Sequence, residues 1–83
     1  MAKGKDEQQQ GILVIYNDDK NTFDYVIHLL IAICGLDPVY AEKYTFISHY
    51  NGKCDIKKGN LDEMKKLKTK LIESGLGATV ESA

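Results

Sequence analysis

The sequence predicts a single two-layer α/β (α+β) domain, and three observations support that prediction. A short apolar run at residues 12–15 is rich in β-branched residues, which favours a buried strand. Three later segments have helical apolar spacing and end at a glycine. The length of 83 residues allows one domain. We therefore predict the order β-α-α-β-α-β, with a three-stranded antiparallel or mixed sheet packed on three helices.

The N-terminal part divides into a tail, a strand and a helix. Residues 1–10 are polar and rich in glutamine, so we expect a disordered tail there and a folded domain over residues 11–83. The first strand is predicted at residues 11–16. The first helix is predicted from Thr22 to Cys34, with Asn21 as its N-cap and Gly35 just beyond its end.

The second helix has a start signal in Asp37 and Pro38, a capping residue followed by proline in the first turn. It should run to about Tyr50 and end at Gly52. Three large side chains are predicted to mark its buried face, namely Tyr40, Tyr44 and Ile47.

The C-terminal part completes the domain. Residues 53–57 alternate in polarity, which indicates a half-buried strand. Asn60 and Glu63 resemble a capping box, and an apolar stripe then predicts a helix from Leu61 to Ser74. Residues 78–81 are predicted to form the last strand.

Composition argues against several classes of function. The net charge is −1 and all eleven basic residues are lysines, so we expect no nucleic-acid binding. No apolar run approaches the roughly 18 residues of a membrane span, and the N-terminus lacks the apolar region of a secretion signal. Cys34 and Cys54 lack metal-type spacing and are expected to be buried free thiols. No nucleophile, metal site or cofactor motif is evident, and we expect a non-enzymatic monomer.

A polar cluster stands between the first strand and the first helix. Asn17, Asp18 and Asp19 follow the strand directly. The two helices after them are joined by a short connection, so they should lie antiparallel. Because both are about 13 residues long, the end of the second returns to the start of the first. His49 should therefore lie close to Phe23, and so near Asn17 and Asp18.

Such a cluster of an amide, carboxylates and an imidazole is rich in hydrogen-bond acceptors. A primary ammonium has three donors and suits it. An adjacent hollow could be lined by Phe23 and Val26 of one helix and Thr45 and Ser48 of the other. Together these features favour capture of the N-terminal residue of a peptide, with its amine in the cluster and its side chain in the hollow.

Two other interpretations stay open from the residues alone. Asn-Asp-Asp before a helix is common turn and capping chemistry, so the domain could be a structural interaction module of similar shape, such as the C-terminal domain of the ribosomal stalk protein. Alternatively, Asp18 and Asp19 could bind Mg²⁺, as in phosphoacceptor domains. That class would require a longer, doubly wound parallel sheet.

The chain resembles the ClpS family, the adaptors of the ATP-dependent Clp protease. The strand ending in Asn17-Asp18-Asp19, the capped apolar helix and the segment HYNGK at residues 49–53 match the family's motifs in order and spacing, over about residues 11–83. The resemblance implies a bacterial cytoplasmic adaptor. It would bind N-degron proteins that begin with Leu, Phe, Tyr or Trp and deliver them to a Clp AAA+ ATPase-protease.

The resemblance also implies roles for individual residues. Asn17, Asp18 and His49 would hold the α-amino group. The side-chain pocket would be lined by Asn21, Phe23, Val26, Thr45, Ser48 and Leu76. The adaptor would dock on the N-terminal domain of the ATPase, near the third helix, through Asp62, Lys65 or Lys66, while its tail enters the ATPase.

The chain departs from the family pattern at several of these positions. Asn21-Thr22 stands where members often have Thr-Pro, and Phe23 stands where members have a gating methionine. Phenylalanine is stiffer, which implies a narrower and more selective pocket. Thr45 and Ser48 replace apolar residues, which implies a larger or more polar hollow. The segment between HYNGK and the last strand is also shorter.

Overall fold

The computed structural model describes residues 9–16 and 18–83, and in them the predicted order β-α-α-β-α-β is confirmed. The elements are β1 (Gln10–Tyr16), α1 (Phe23–Ala32), α2 (Pro38–Asn51), β2 (Lys53–Asn60), α3 (Leu61–Glu73) and β3 (Ala78–Ser82). Most of the expected tail lies outside the described residues. Gln10, placed in the tail by its polarity, instead belongs to β1, because it pairs with Asn60 of β2.

The sheet is antiparallel with the order β2-β1-β3. The central strand β1 carries the longest run of fully buried residues, and Leu13, Val14 and Ile15 are each 0% exposed. Because this central strand is buried on both faces, neither face requires polar side chains, and the segment is apolar throughout. The register with β2 shifts between Leu13 and Val14, which pair with Lys57 and Asp55, so the extra residue of this bulge is Ile56 of β2.

The register brings three segments to the same end of the sheet. Tyr16, the last residue of β1, is paired with Lys53 just after the end of α2. On the other side its amide donates to the carbonyl of Gly77, in the loop before β3, at 3.0 Å. The end of α2, the loop after β1 and the α3–β3 loop therefore meet in one place.

The predicted helix starts are confirmed for α2 and α3 and wrong for α1. Asp37 caps α2 by accepting from the Val39 amide at 2.8 Å, and Asn60 caps α3 by accepting from the Glu63 amide at 3.1 Å. In α1 the N-cap is Thr22, whose hydroxyl accepts from the Tyr25 amide at 3.1 Å. Asn21 lies one residue before the cap, because the Thr22 carbonyl accepts the first bond of the helix, from the Val26 amide at 3.1 Å.

The helices end near the predicted glycines. Gly52 and Gly75 follow α2 and α3 with φ of 90° and 96°. This left-handed backbone is one that glycine adopts without the steric cost of a Cβ atom. The glycine after α2 turns the chain sharply into β2, so the last turn of that helix stays beside the end of β1.

The buried face of α2 is not the predicted one. Its buried residues are the small side chains Ala41, Thr45 and Ser48, whereas Tyr40 is 52% exposed. Tyr44 and Ile47 are only partly buried. Small residues let this helix pack closely against α1 and the sheet, and the large rings are displaced to its flanks.

All three helices share one core with the sheet. Its cluster includes Leu13, Leu30 and Leu71, from the central strand and from the first and third helices. Cys34 and Cys54 are buried and free, as predicted. Burial raises the pKa of the Cys34 thiol to about 11, with the charge of Lys57 acting in the opposite direction. The pKa of Cys54 is also raised, chiefly by burial. Both thiols therefore pack as small neutral groups at neutral pH.

Among the described residues, no helix has both the length and the apolar character that a membrane crossing needs.

Candidate functional site

A cavity of about 150 Å³ lies where the three segments meet. Its volume is comparable to that of a protein cavity that holds benzene. The residues that line it come from all three segments and from both helices of the α1–α2 pair: Tyr16, Asp18, Asp19, Asn21, Phe23, Val26, Thr45, Ser48, His49 and Leu76. The structure thus brings together every predicted clamp and pocket residue except Asn17, which lies outside the described residues.

Asp18 is held in a defined orientation by the turn that contains it. Its Oδ1 accepts from the backbone amide of Lys20 at 2.6 Å, and its Oδ2 accepts from Nδ2 of Asn21 at 3.0 Å. A carboxylate has about four lone-pair sites, so acceptor capacity remains on both oxygens. The carboxylate is half-buried and lines the cavity, where it can accept further hydrogen bonds from a cation.

His49 lies beside Phe23, as the helix-hairpin argument predicted. Their ring centroids are 4.9 Å apart with an interplanar angle of 68°, an edge-to-face contact. His49 belongs to the last turn of α2 and Phe23 is the first residue of α1. The antiparallel packing of the two helices therefore brings an imidazole to the same cavity as Asp18, although 31 residues separate them in sequence.

The hydroxyls of Thr45 and Ser48 are already used as donors within α2. Thr45 Oγ1 donates to the carbonyl of Ala41 at 2.8 Å, and Ser48 Oγ donates to that of Thr45 at 2.9 Å. The two side chains are only 3% and 4% exposed. Because their protons are committed to the helix, they offer a ligand only oxygen lone pairs and carbon surface.

Leu76 forms a buried wall of the cavity at 2% exposure, and two side chains hold its loop against α1. Asn21 Nδ2 donates to the carbonyl of Gly75 at 3.0 Å, and the Tyr25 hydroxyl donates to that of Ser74 at 2.6 Å. Asn21 also donates to Asp18, so it links the acidic side of the cavity to its apolar wall.

Sequence reasoning missed Tyr16, Tyr25 and the involvement of Asp19 in the lining. The partner of Tyr25 lies 49 residues away, and no local spacing signals such a contact. Tyr16 could have been found, since it is the last strand residue before the polar cluster. Asp19 was noticed but left without a role.

We expect Tyr25→Phe to loosen the Leu76 wall. The change deletes one hydrogen bond, so the free energy of unfolding should fall by about 1 kcal/mol. The Leu76 amide, which donates to the Leu71 carbonyl at 3.0 Å, should exchange with solvent faster. Urea unfolding and NMR hydrogen exchange measure the two effects. Tyr40→Phe is the matched control on an exposed ring outside the cavity lining; equal behaviour of the two variants would contradict the proposed restraint.

The Mg²⁺ interpretation does not fit this architecture. It required a doubly wound parallel sheet, whereas the sheet here has three antiparallel strands. Among residues 9–16 and 18–83, no group of three or more His, Cys, Asp or Glu side chains is placed to hold a metal ion. Asp18 instead makes two hydrogen bonds within its own turn.

The predicted docking residues lie away from the cavity. Asp62, Lys65 and Lys66 are all exposed on α3, and none lines the cavity.

Comparisons with known proteins agree with this fold and identify a family. The family described as "ATP-dependent Clp protease adaptor protein ClpS" matches residues 6–79, and the chain belongs to this adaptor family. A relative named ATP-dependent Clp protease adapter protein ClpS, from Clostridium acetobutylicum, is 36% identical over 62 residues. That alignment covers 66% of this chain and 61% of the relative, so the chain spans under two thirds of its length.

The fold is also similar to a solved structure, that of Agrobacterium tumefaciens ClpS2 bound to L-phenylalaninamide. The TM-score is 0.77, and the match covers 90% of this chain and 98% of that one. The sequence identity is 18%, so this likeness shows that the two chains share the fold.

Proposed function

We propose that this protein binds the first residue of N-degron substrates and delivers them to a Clp AAA+ ATPase-protease. The ligand would carry a free α-amine and a bulky hydrophobic side chain, from Leu, Phe, Tyr or Trp. The observation that carries this proposal is a single cavity lined both by Asp18 and His49 and by apolar side chains.

The polar side of the cavity suits an α-ammonium group. Asp18 keeps free lone pairs while the turn fixes its orientation, and neutral imidazole of His49 supplies one more acceptor. Asn17, which lies outside the described residues, is proposed as the third member of this clamp. Charge-assisted hydrogen bonds of this kind contribute about 1.5–3 kcal/mol each.

The apolar side suits one large side chain. Phe23, Val26 and Leu76 supply most of the carbon surface, while Thr45 and Ser48 add a floor whose hydroxyl protons face their own helix. Asn21 is proposed to border this pocket and to hold its wall. Burial of one large apolar side chain contributes roughly 1.5–3 kcal/mol. Together with the clamp, and after the costs of association, this supports a Kd of about 1 μM.

The similar protein from Agrobacterium tumefaciens supports the choice of ligand. L-Phenylalaninamide, to which that protein is bound, has a free α-amine, a benzyl side chain and an amide in place of the carboxylate. It therefore has the chemistry of the first residue of a peptide. We propose that the cavity of this chain takes the same chemical class.

Delivery would use other parts of the chain. We propose that the protein acts as a non-catalytic monomer in the bacterial cytoplasm. It would dock on the N-terminal domain of the ATPase through Asp62, Lys65 or Lys66, which are exposed and outside the cavity. The residues that precede β1 would serve as the tail that enters the ATPase.

Two peptides that differ only in the first residue test the pocket. A peptide that begins with Phe should bind with a Kd of about 1 μM, and its Gly-starting twin should bind about tenfold more weakly or worse, because glycine leaves the hollow unfilled. Isothermal titration measures both affinities. Equal affinities, or no binding of the Phe-starting peptide, would contradict the proposal.

A further inference from the structure

The mouth of the cavity continues into exposed aromatic surface on α2. Phe46 and Tyr50, spaced four residues apart, are 42% and 76% exposed. Their rings are nearly parallel, with an interplanar angle of 7° and centroids 6.3 Å apart. We call these two side chains the aromatic ridge. Neither lines the cavity, so the proposed first-residue site leaves them unused.

Two rings of the cavity lining, those of Phe23 and His49, contact the ridge. Phe23 makes an edge contact with Phe46, with ring centroids 5.0 Å apart. His49 makes a similar contact with Tyr50 at 5.0 Å. Aromatic surface therefore extends from the cavity lining along the last two turns of α2.

We propose that the aromatic ridge binds the side chain of the ligand's third residue and favours a large apolar one. This rests on the proposed function, since it requires the first residue to occupy the cavity. In an extended chain, the first and third side chains point to the same side and lie about 7 Å apart. A first side chain packed against Phe23 would place the third near Phe46 and Tyr50, because the Phe46 ring lies 5.0 Å from Phe23 and the Tyr50 ring lies 5.0 Å from His49 of the cavity lining.

The chemistry of the ridge selects among possible third residues. Ring faces carry negative partial charge and a large apolar area, so an aliphatic or aromatic side chain gains most from covering them. An acidic side chain would meet the ring faces and also the carboxylates of Asp18 and Asp19 at the cavity. We therefore expect the order of affinity to be Leu, then Ser, then Asp at the third position.

Peptides of the form Phe-Ala-X, with one common sequence after X, test the proposal by fluorescence anisotropy. Leu at X should bind about three- to tenfold more tightly than Ser at X, because the ridge buries part of the side chain. A second series, Phe-X-Ala, moves the same residues to the second position, where an extended chain points them away from the ridge. In that series the ratio should be close to one.

Two matched variants test the residues. Tyr50→Ala should bring the Leu-to-Ser ratio of the Phe-Ala-X series close to one. Tyr40→Ala should leave the ratio as it is. Tyr40 is also an exposed tyrosine of α2, at 52%, but its ring stacks on Tyr44, which does not line the cavity, whereas Tyr50 contacts His49, which does. Circular dichroism confirms that both variants fold.

The outcomes separate this proposal from the proposed function. If Phe-starting peptides bind but the Leu-to-Ser affinity ratio in the Phe-Ala-X series is one, the third-residue site is overturned and the first-residue site is not. That result would favour the ridge as a contact for the ATPase. A gain only in the Phe-X-Ala series would overturn the assignment to the third residue. Failure of every Phe-starting peptide to bind would overturn both proposals.

Discussion

N-terminal acetylation of a Phe-starting peptide is expected to lower its affinity by roughly 100-fold or more. Acetylation converts the ammonium to a neutral amide and leaves one N–H donor in place of three. Asp18 and His49 would then lose their charge-assisted hydrogen bonds, and the acetyl group would occupy space beside them. Two such bonds correspond to about 3–6 kcal/mol in total. This is the largest effect that the cavity geometry implies.

Fluorescence anisotropy with the free and acetylated peptides measures the loss. The control is the same peptide acetylated instead on a lysine side chain far from the first residue. This control peptide carries the same added group and loses the same charge, but it keeps the α-amine. Its affinity should stay within about twofold of that of the unmodified peptide, because a distant solvent-exposed charge is screened at physiological salt. Equal binding of all three peptides would contradict the ammonium clamp.

Asp18→Asn is expected to lower the affinity for the same peptide by about 10- to 100-fold, the effect of one charge-assisted hydrogen bond of 1.5–3 kcal/mol. The substitution keeps an oxygen that can accept from the Lys20 amide, so the turn can persist. It removes the negative charge, and its NH₂ group cannot accept from an ammonium or from Nδ2 of Asn21. Titration at physiological ionic strength, with thermal unfolding as a check on the fold, measures the effect.

Asp24→Asn is the matched control for that variant. Asp24 lies in the first turn of α1, is exposed and does not line the cavity. The change removes the same charge a short distance from the clamp, so only a weak, salt-screened effect of about twofold or less is expected. Similar losses in the two variants would indicate general attraction of a cationic peptide to acidic surface.

Peptide acetylation and Asp18→Asn together form a double-mutant cycle that isolates the interaction between Asp18 and the α-ammonium group. If Asp18 acts on the ammonium, Asp18→Asn should weaken the free peptide and change the binding of the acetylated peptide little. The coupling between the two changes then measures the interaction of carboxylate and ammonium. Additive effects would mean that Asp18 supports the turn without touching the ligand.

Local signals in the sequence were sufficient where the deciding contacts are local. Asp37 and Asn60 cap helices through amides two and three residues away, and the glycines after α2 and α3 adopt left-handed backbone where the apolar stripes end. The hairpin of α1 and α2 followed from a short connection and similar helix lengths. That argument alone placed His49 beside Phe23, and the ring contact at 4.9 Å confirms it.

Predictions from local sequence were wrong where packing against a distant segment decides the outcome. Asn21 is as good an N-cap as Thr22 by residue type, but α1 begins one residue later than predicted, and Asn21 instead donates to Asp18 and to the Gly75 carbonyl. Tyr40 has the spacing of a buried residue, yet α2 buries a face of small side chains. Neither outcome can be inferred from neighbouring residues, because each depends on how closely another segment approaches.

The order of the elements, most of their ends and the placement of Asp18 and His49 at one site could all be predicted from the sequence. These depend on capping, periodicity and chain length, all of which act within a few residues or along a single helix. Only the tertiary structure decided that Leu76 closes the cavity, that Asn21 and Tyr25 hold its loop, and that Phe46 and Tyr50 remain exposed beside it. These features arise from contacts between α1, α2 and the α3–β3 loop, and such contacts exist only once the helices have packed on the sheet.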